Sequence, residues 1–319
     1  MLEKFYNIST IYGIFGAIVT IIALIIPSQV ILQFATIYDT IGISILIWEL
    51  IRPSITMKFT ITYDNFNDLQ KTLKKFEKRL PPFTPEENIN FTLSIKENKY
   101  LILHTEKRST KLEYPLSWEG PEIVAKKSGY NTIIAKIMLN FEQSTAENGN
   151  IYLSGTSRLG RFHYLIGIDK KSRDIFFHIW DKKEKIRYKG SPIGFYPERG
   201  RTHLKDYFKE NGEKWIIIGI EWGFDGPKYF AYKEGEKDIV KIPVNISPKI
   251  KTEILKDSRN IYLYGVKEFA IRTDLEVKEN KYKTIIGAID YIKVKPAPLN
   301  WIPTLKNLLK IKTKTSPNT

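Results

Sequence analysis

"KWIIIGIEWGFDGPKYFAYKEG" (residues 214–235) reads as two strands around a turn. Its first part, "KWIIIGIEW", is apolar almost without interruption. That pattern predicts a central strand covered on both faces. Outward from it, the chain beyond residue 110 is a series of strand-like runs: "NTIIAKIMLNF", "NIYLSG", "FHYLIGID", "DIFFHIWD", "PKYFAYK", "DIVKIPV", "NIYLYG" and "IGAIDYIKVK". Short strands separated by turn residues every ~8 to 12 positions predict an all-β sandwich or barrel. No fixed repeat emerges, which sets aside a propeller or solenoid. The stretch "KGSPIGFYPERGRTHLKDYFKENG" (189–212) interrupts the series and reads as a long loop, where ligand-facing side chains are expected.

The composition agrees. Hydrophobic residues make up 42% and charged residues 27% of the 319 positions, a globular balance, and the aromatic share of 13% suits a β-rich protein. There are no cysteines, which excludes disulfides, thiolate metal sites and cysteine nucleophiles. The net charge of +15 lies wholly beyond residue 60, since Lys4, Arg52 and Lys58 are matched by Glu3, Asp39 and Glu49. Lysines alternate with glutamates in "DKKEKIRYKG" and "DLEVKENKYK" rather than clustering, which weighs against a nucleic-acid footprint.

"IGIEW", the Gly-Pro turn and "KYFAYKEG" together resemble the strand pair of concanavalin A-like lectins and glucanases. "AIDYIKVK" (288–295) resembles the last strand of family 16 glycoside hydrolases and laminin-G-like domains. The resemblance covers roughly residues 110–296 and implies a jelly roll. Trp215, Trp222, Ile289 and Tyr291 read as core or strand-surface residues within it. Family 16 catalysis uses paired carboxylates in Glu-x-Asp-x-x-Glu, placed by strand alternation on one face. The nearest match here, "EKDIVK" (236–241), ends in Lys241 and follows the tryptophan strand instead of preceding it. The strand "DIFFHIWD" offers Asp174, His178 and Asp181 but no paired glutamates. His104, His163, His178 and His203 are scattered without metal-ligand spacing. Asp169, Asp174 and Asp181 are the residues that would gather a calcium ion, which laminin-G-like domains often bind, although no loop supplies enough oxygens.

The N-terminal part is different in kind. No charged side chain falls between Phe5 and Tyr38, and "ISTIYGIFGAIVTIIALIIP" (8–27) has the ~20-residue length that spans a bilayer core. It is longer than the core of a signal peptide. "VILQFATIYDTIGISILIWELI" (30–51) reads as a second span carrying Asp39, with Trp48 and Arg52 as interface anchors. Asp39 there is read as protonated, as part of an oblique segment, or as a helix-pairing or ion-pathway residue. Small residues Gly13 and Ala17, and Gly16 and Thr20, have the spacing of a helix-pairing face, the one hint of a homo-oligomer. A hairpin over 1–52 leaves Lys4 on one flank and Lys58, Lys71, Lys74 and Lys75 on the other, which puts the large domain in the cytoplasm. A single span puts it outside.

The expected organisation is therefore mainly β: a helical hairpin at 1–52, a strand-helix-hairpin connector at 53–107, a jelly-roll sandwich at 108–296 and a basic amphipathic tail at 297–319. In the connector, Asp64 is placed as N-cap of a helix ending at Pro81, followed by a hairpin turning at Glu97-Asn98. In the tail, Trp301, Leu305 and Leu308 recur at helical spacing beside Lys306, Lys310, Lys312 and Lys314, the pattern of a membrane-surface helix or of one packed on the sandwich. Membrane lipids are the expected partners. The leading functional reading is a membrane-anchored, non-catalytic binding or scaffold protein for a glycan or protein, and the alternative is a divergent membrane-bound glycan hydrolase. The expected ligand contacts are Trp180, Tyr196, Arg199, Arg201 and His203, because aromatic rings cover sugar faces and arginines read hydroxyls or carboxylates.

Overall fold

The computed structural model describes residues 60–81, 86–109, 120–188, 191–202, 214–233, 240–242, 248–278 and 280–300. The compact unit that holds them begins at Ile61. In chain order its first elements are β1 (Ile61–Asp64), α1 (Leu69–Lys75), β2 (Phe76–Arg79), β3 (Ile89–Lys96), β4 (Tyr100–Lys107), β5 (Glu122–Ala125), β6 (Tyr130–Leu139), β7 (Asn148–Thr156) and β8 (Phe162–Asp169). Then come β9 (Ile175–Tyr188), β10 (Ser191–Thr202), β11 (Ile216–Gly223), β12 (Gly226–Lys233), β13 (Val240–Ile242), α2 (Pro248–Tyr264), β14 (Glu268–Glu276) and β15 (Lys283–Pro296).

Two antiparallel sheets face each other. The first has the order β13-β12-β11-β6-β15-β4-β3, with β1 also paired to β15. The second runs β10-β9-β8-β7-β14-β5-β2. The expected central strand, β11, lies between β12 and β6. Ile216, Ile218, Ile220 and Trp222 point into the core and are fully buried, while Ile217 packs with Ile134 and Phe230 on the outer side. Two-sided cover explains the unbroken apolar run. Gly219 is part of the same arrangement, because a Cβ there would come 2.2 Å from the Phe230 ring.

Between the sheets Trp222 fills the space above Gly155 of β7, where a Cβ would lie 2.5 Å from the indole. Tyr164 of β8 meets the indole edge-on at 5.5 Å. The β11–β12 hairpin closes with Gly223 opposite Gly226, so the turn is Phe224-Asp225 and Pro227 belongs to the strand. Gly226 has φ 117°, which explains the glycine there.

Several local expectations are corrected. The stretch read as a loop contains β10, paired along β9. It carries Pro192, Gly194, Pro197 and Gly200, which edges and bulges admit, and among the described residues β10 is an edge strand whose register shifts twice. "NIYLYG", read as a strand, is the last part of α2 up to Tyr264, with Gly265 just beyond it. Its short apolar alternation hid the longer helical period by which Ile250, Ile254 and Ile261 all reach the core. The first helix is capped by Asp68, which accepts from the Lys71 N–H at 3.1 Å, not by Asp64. Asp64 instead accepts from Phe66 N–H at 2.8 Å, holding a turn that buries Phe66 against Phe76. That helix ends at Lys75, and Phe76 starts β2.

The hairpin at Glu97-Asn98 is found as expected, both residues having positive φ. The strands expected in the 53–107 connector are members of the sandwich, since β2 pairs with β5, β3 with β4, and both β1 and β4 with β15.

Gly155→Ala places a methyl group against the Trp222 indole and lowers folding stability by about 1–3 kcal/mol, read as a shift in denaturant midpoint. An unchanged midpoint contradicts this packing.

Candidate functional site

Strand alternation decides which side chains of the second sheet face out. On β9, Ile175, Phe177 and Ile179 enter the core, which leaves Phe176, His178 and Trp180 on the outer face. Register sets Trp180 across from His163, His178 across from Leu165 and Phe176 across from Gly167 on β8, and Gly167 in turn across from Tyr152 on β7. The absent side chain at Gly167 leaves room that Tyr152 uses: a Cβ there would lie 2.3 Å from the Tyr152 Cβ.

The result is a group of five rings across three strands. Trp180 and His163 lie 5.3 Å apart, Phe176 and His178 5.0 Å, and Tyr152 and Phe176 6.1 Å. Trp180, His163 and His178 are half-buried. The Trp180 Nε1–H is buried and has no hydrogen-bond acceptor among the described residues. A buried donor left in that state is costly, by about 1–3 kcal/mol.

The rings pass into a band of charges on the same face. Tyr152 Oη donates to Asp274 at 2.8 Å, and Arg272 Nε donates to the other oxygen at 2.7 Å. Arg79 reaches both Glu122 and Glu268, at 3.4 and 3.3 Å. Burial pushes the Glu122 carboxyl up, while Arg272 and Arg79 oppose that shift. Apolar ring surfaces beside oriented carboxylates and guanidinium groups suit a ligand with both C–H faces and hydroxyls.

Of the residues picked from sequence, Trp180 lies in this group. Arg199 is set across from His178 and Arg201 across from Phe176 by the β10 register, and Tyr196 falls in the register shift between Phe195 and Glu198. His203, Asp39, Trp48 and Trp301 lie outside the described residues. Sequence reasoning missed Tyr152, His163 and Phe176 as site residues and took His178 only as a neighbour of carboxylates. The signal was there in the two-residue period of "FHYLIGID" and "DIFFHIWD".

The carboxylates proposed for calcium are not brought together. Asp169 at the end of β8 accepts from Ser172, whereas Asp181 pairs in register with Phe162 at the opposite end of the same hairpin. Among the described residues no group of three or more histidines, aspartates and glutamates is placed to hold a metal ion.

A cluster of charges that includes the buried Asp181 and Asp257 lies beside α2. Arg161 donates from Nε and Nη2 to both oxygens of fully buried Asp181, the shortest contact being 2.7 Å, and also pairs with Glu253 of α2. Tyr164 Oη donates to Asp257 of α2 at 2.7 Å. Burial pushes the Asp257 carboxyl up to about 6, against the opposing effects of Tyr164, Ser157 and Arg161. Asp257 and Asp181 thus tie the helix and the second sheet together inside the fold.

No protein-family model matches the sequence, and no curated protein matches it. Among solved structures the chain is similar to a prokaryotic β-1,3-1,4-glucanase (lichenase) derived from a mouse hindgut metagenome, at 12% identity and a TM-score of 0.42, covering 75% of this chain and 98% of that one. It is also similar to the κ-carrageenase from Pseudoalteromonas carrageenovora, at 15% identity and a TM-score of 0.40, covering 74% and 92%. A third is lectin I-B4 from Griffonia simplicifolia, at 10% identity and a TM-score of 0.35, covering 69% and 98%. At these values the likenesses decide nothing about activity.

The raised Asp257 pKa has a definite sign. The folded state holds that proton up to about pH 6 while the unfolded state releases it near the ordinary 3.8, so this group's stabilising contribution is lost as pH rises from about 4 to 6. Asp257→Asn removes that loss, so the difference in unfolding midpoint between wild type and variant changes across this window and is flat above it. A constant difference from pH 4 to 7 contradicts the assignment.

Proposed function

We propose that this protein is a non-catalytic binding module that holds a sugar chain on the outer face of its second sheet and is anchored to a membrane by residues 1–52. The observation that carries the binding role is the half-buried set Trp180, His163 and His178, backed by the buried rings of Phe176 and Tyr152, with Tyr152 joined to the Asp274–Arg272 ion pair on the same sheet face. Rings stack on the C–H faces of sugars, and the charged band orients hydroxyls. A retaining hydrolase would need two carboxyls ~5 to 5.5 Å apart and open to the substrate. Asp181 and Asp257 are instead enclosed and occupied by Arg161 and Tyr164.

The anchor rests on the uncharged spanning-length run at 8–27 and the apolar run at 30–51, and the excess of lysine on the flanks favours a cytoplasmic domain. Among the described residues no helix is long and apolar enough to cross a membrane, and both runs lie outside them.

The test is a glycan array probed with the full-length chain in detergent. Binding to at least one oligosaccharide class is expected, weakened tenfold or more, about 1.4 kcal/mol, by Trp180→Ala and unaffected by Tyr282→Ala, an exposed residue at the start of β15. Absence of any glycan binding, or binding that survives Trp180→Ala, rejects the reading.

A further inference from the structure

Among the described residues six large apolar side chains stand out as exposed, and four of them gather at one end of the sandwich. Leu159 is 74% exposed at the tip of the β7–β8 turn, Phe224 is 42% exposed in the β11–β12 turn, Tyr264 is 44% exposed at the end of α2, and Leu299 is 56% exposed just after β15. Hydrogen bonds hold these tips in a common setting. Arg158 donates to the carbonyls of Tyr264 and Gly265, Arg259 donates to the carbonyl of Phe224, and Phe224 packs on Tyr262 at 4.6 Å. Beyond them, Ala297 N–H donates to Gly129 O and Gly129 N–H to Val266 O.

The charged groups at this end are mostly basic. Arg158, Arg259 and Lys267 are exposed, as are Lys126 and Lys127 in the neighbouring β5–β6 loop. The acidic groups there are engaged: Asp225 pairs with Lys228 at 3.0 Å and Glu253 with Arg161. Apolar tips surrounded by cations are the pattern by which a folded domain enters the headgroup region of an anionic bilayer.

Chain connectivity points the same way. Ile61 of β1 pairs with Val294 near the end of β15, so the polypeptide enters the sandwich from residues 1–59 and leaves it toward residues 301–319 at this same end. The first of those segments carries the spanning-length apolar runs, and the second carries Lys306, Lys310, Lys312 and Lys314 without one acidic residue. Both segments with membrane-seeking composition are thus joined to the end that presents the apolar tips.

We infer that this end of the sandwich, with Leu159, Phe224, Tyr264 and Leu299 at its tips and Arg158, Arg259 and Lys267 around them, docks onto an anionic lipid surface. The inference rests in part on reading residues 1–52 as a membrane anchor, and its test separates the two. The chain has no cysteine, so Leu159→Cys and Tyr282→Cys each create a unique labelling position, the second at the opposite end of β15. Both positions are exposed and tolerate a fluorophore.

The full-length chain is reconstituted with phosphatidylcholine vesicles, with and without phosphatidylserine, that contain nitroxide-bearing lipids. The docked arrangement gives several-fold stronger quenching at 159 than at 282. Quenching at 159 falls when phosphatidylserine is omitted, and also with Lys127→Glu and Lys267→Glu, each lysine contributing roughly a fivefold change in surface partition. Equal quenching at both positions in a chain that sediments with the vesicles overturns the docking and leaves the anchor standing. A chain that stays in the supernatant, unquenched at 159, overturns both.

Discussion

The insertion of Trp222 between the sheets is the contact on which the rest of the molecule depends. Its indole needs the missing side chain at Gly155 on one side and the edge of Tyr164 beside it. Tyr164 carries the arrangement onward through its hydrogen bond to Asp257, and Ser258 of the same helix donates to the carbonyl of Gly223, next to Trp222. One side chain therefore fixes both sheets and the helix that closes their open end. Because Tyr164 must face inward, His163 and Leu165 must face outward, and register carries that choice to Trp180 and His178 on β9. A slip of one residue would turn the ring group into the core.

Much of this was legible in the chain. The nearly unbroken apolar run from Trp215 to Trp222 marked a strand covered on both faces, and Glu97-Asn98 marked a tight hairpin. What failed were segments whose local signal was outvoted by their setting. Residues 191–202 carry two prolines and two glycines, yet pair along β9 because an edge strand needs hydrogen bonds on only one side. Residues 260–264 look like a strand in a short window and are helical because Ile254 and Ile261 must cover the same patch of core. Of the ring group, only Trp180 was among the ligand contacts read from the sequence. Its neighbours come from other strands, and no single sequence states which strands lie side by side.

The same fold separates two surfaces of different chemistry. The outer face of the second sheet gathers rings beside a band of ion pairs, which suits a ligand with hydroxyls and apolar faces. The end built from α2 and the β7–β8 and β11–β12 turns gathers apolar tips among cations, which suits headgroups and acyl chains. In the proposed arrangement, docking by that end holds the strands roughly upright and leaves both sheet faces open to approach from the side. A binding face and an anchoring end then work without competing for the same residues.

The most direct test of the binding face is the indole N–H resonance of Trp180, followed in the full-length chain while an oligosaccharide from the glycan array is titrated in. Six tryptophans give six such signals, and single substitutions assign them. The account predicts a saturable shift of the Trp180 signal as a sugar stacks on the open part of its ring, with the enclosed Trp222 unmoved. A saturable shift of Trp215 or any other tryptophan with Trp180 unchanged would contradict it.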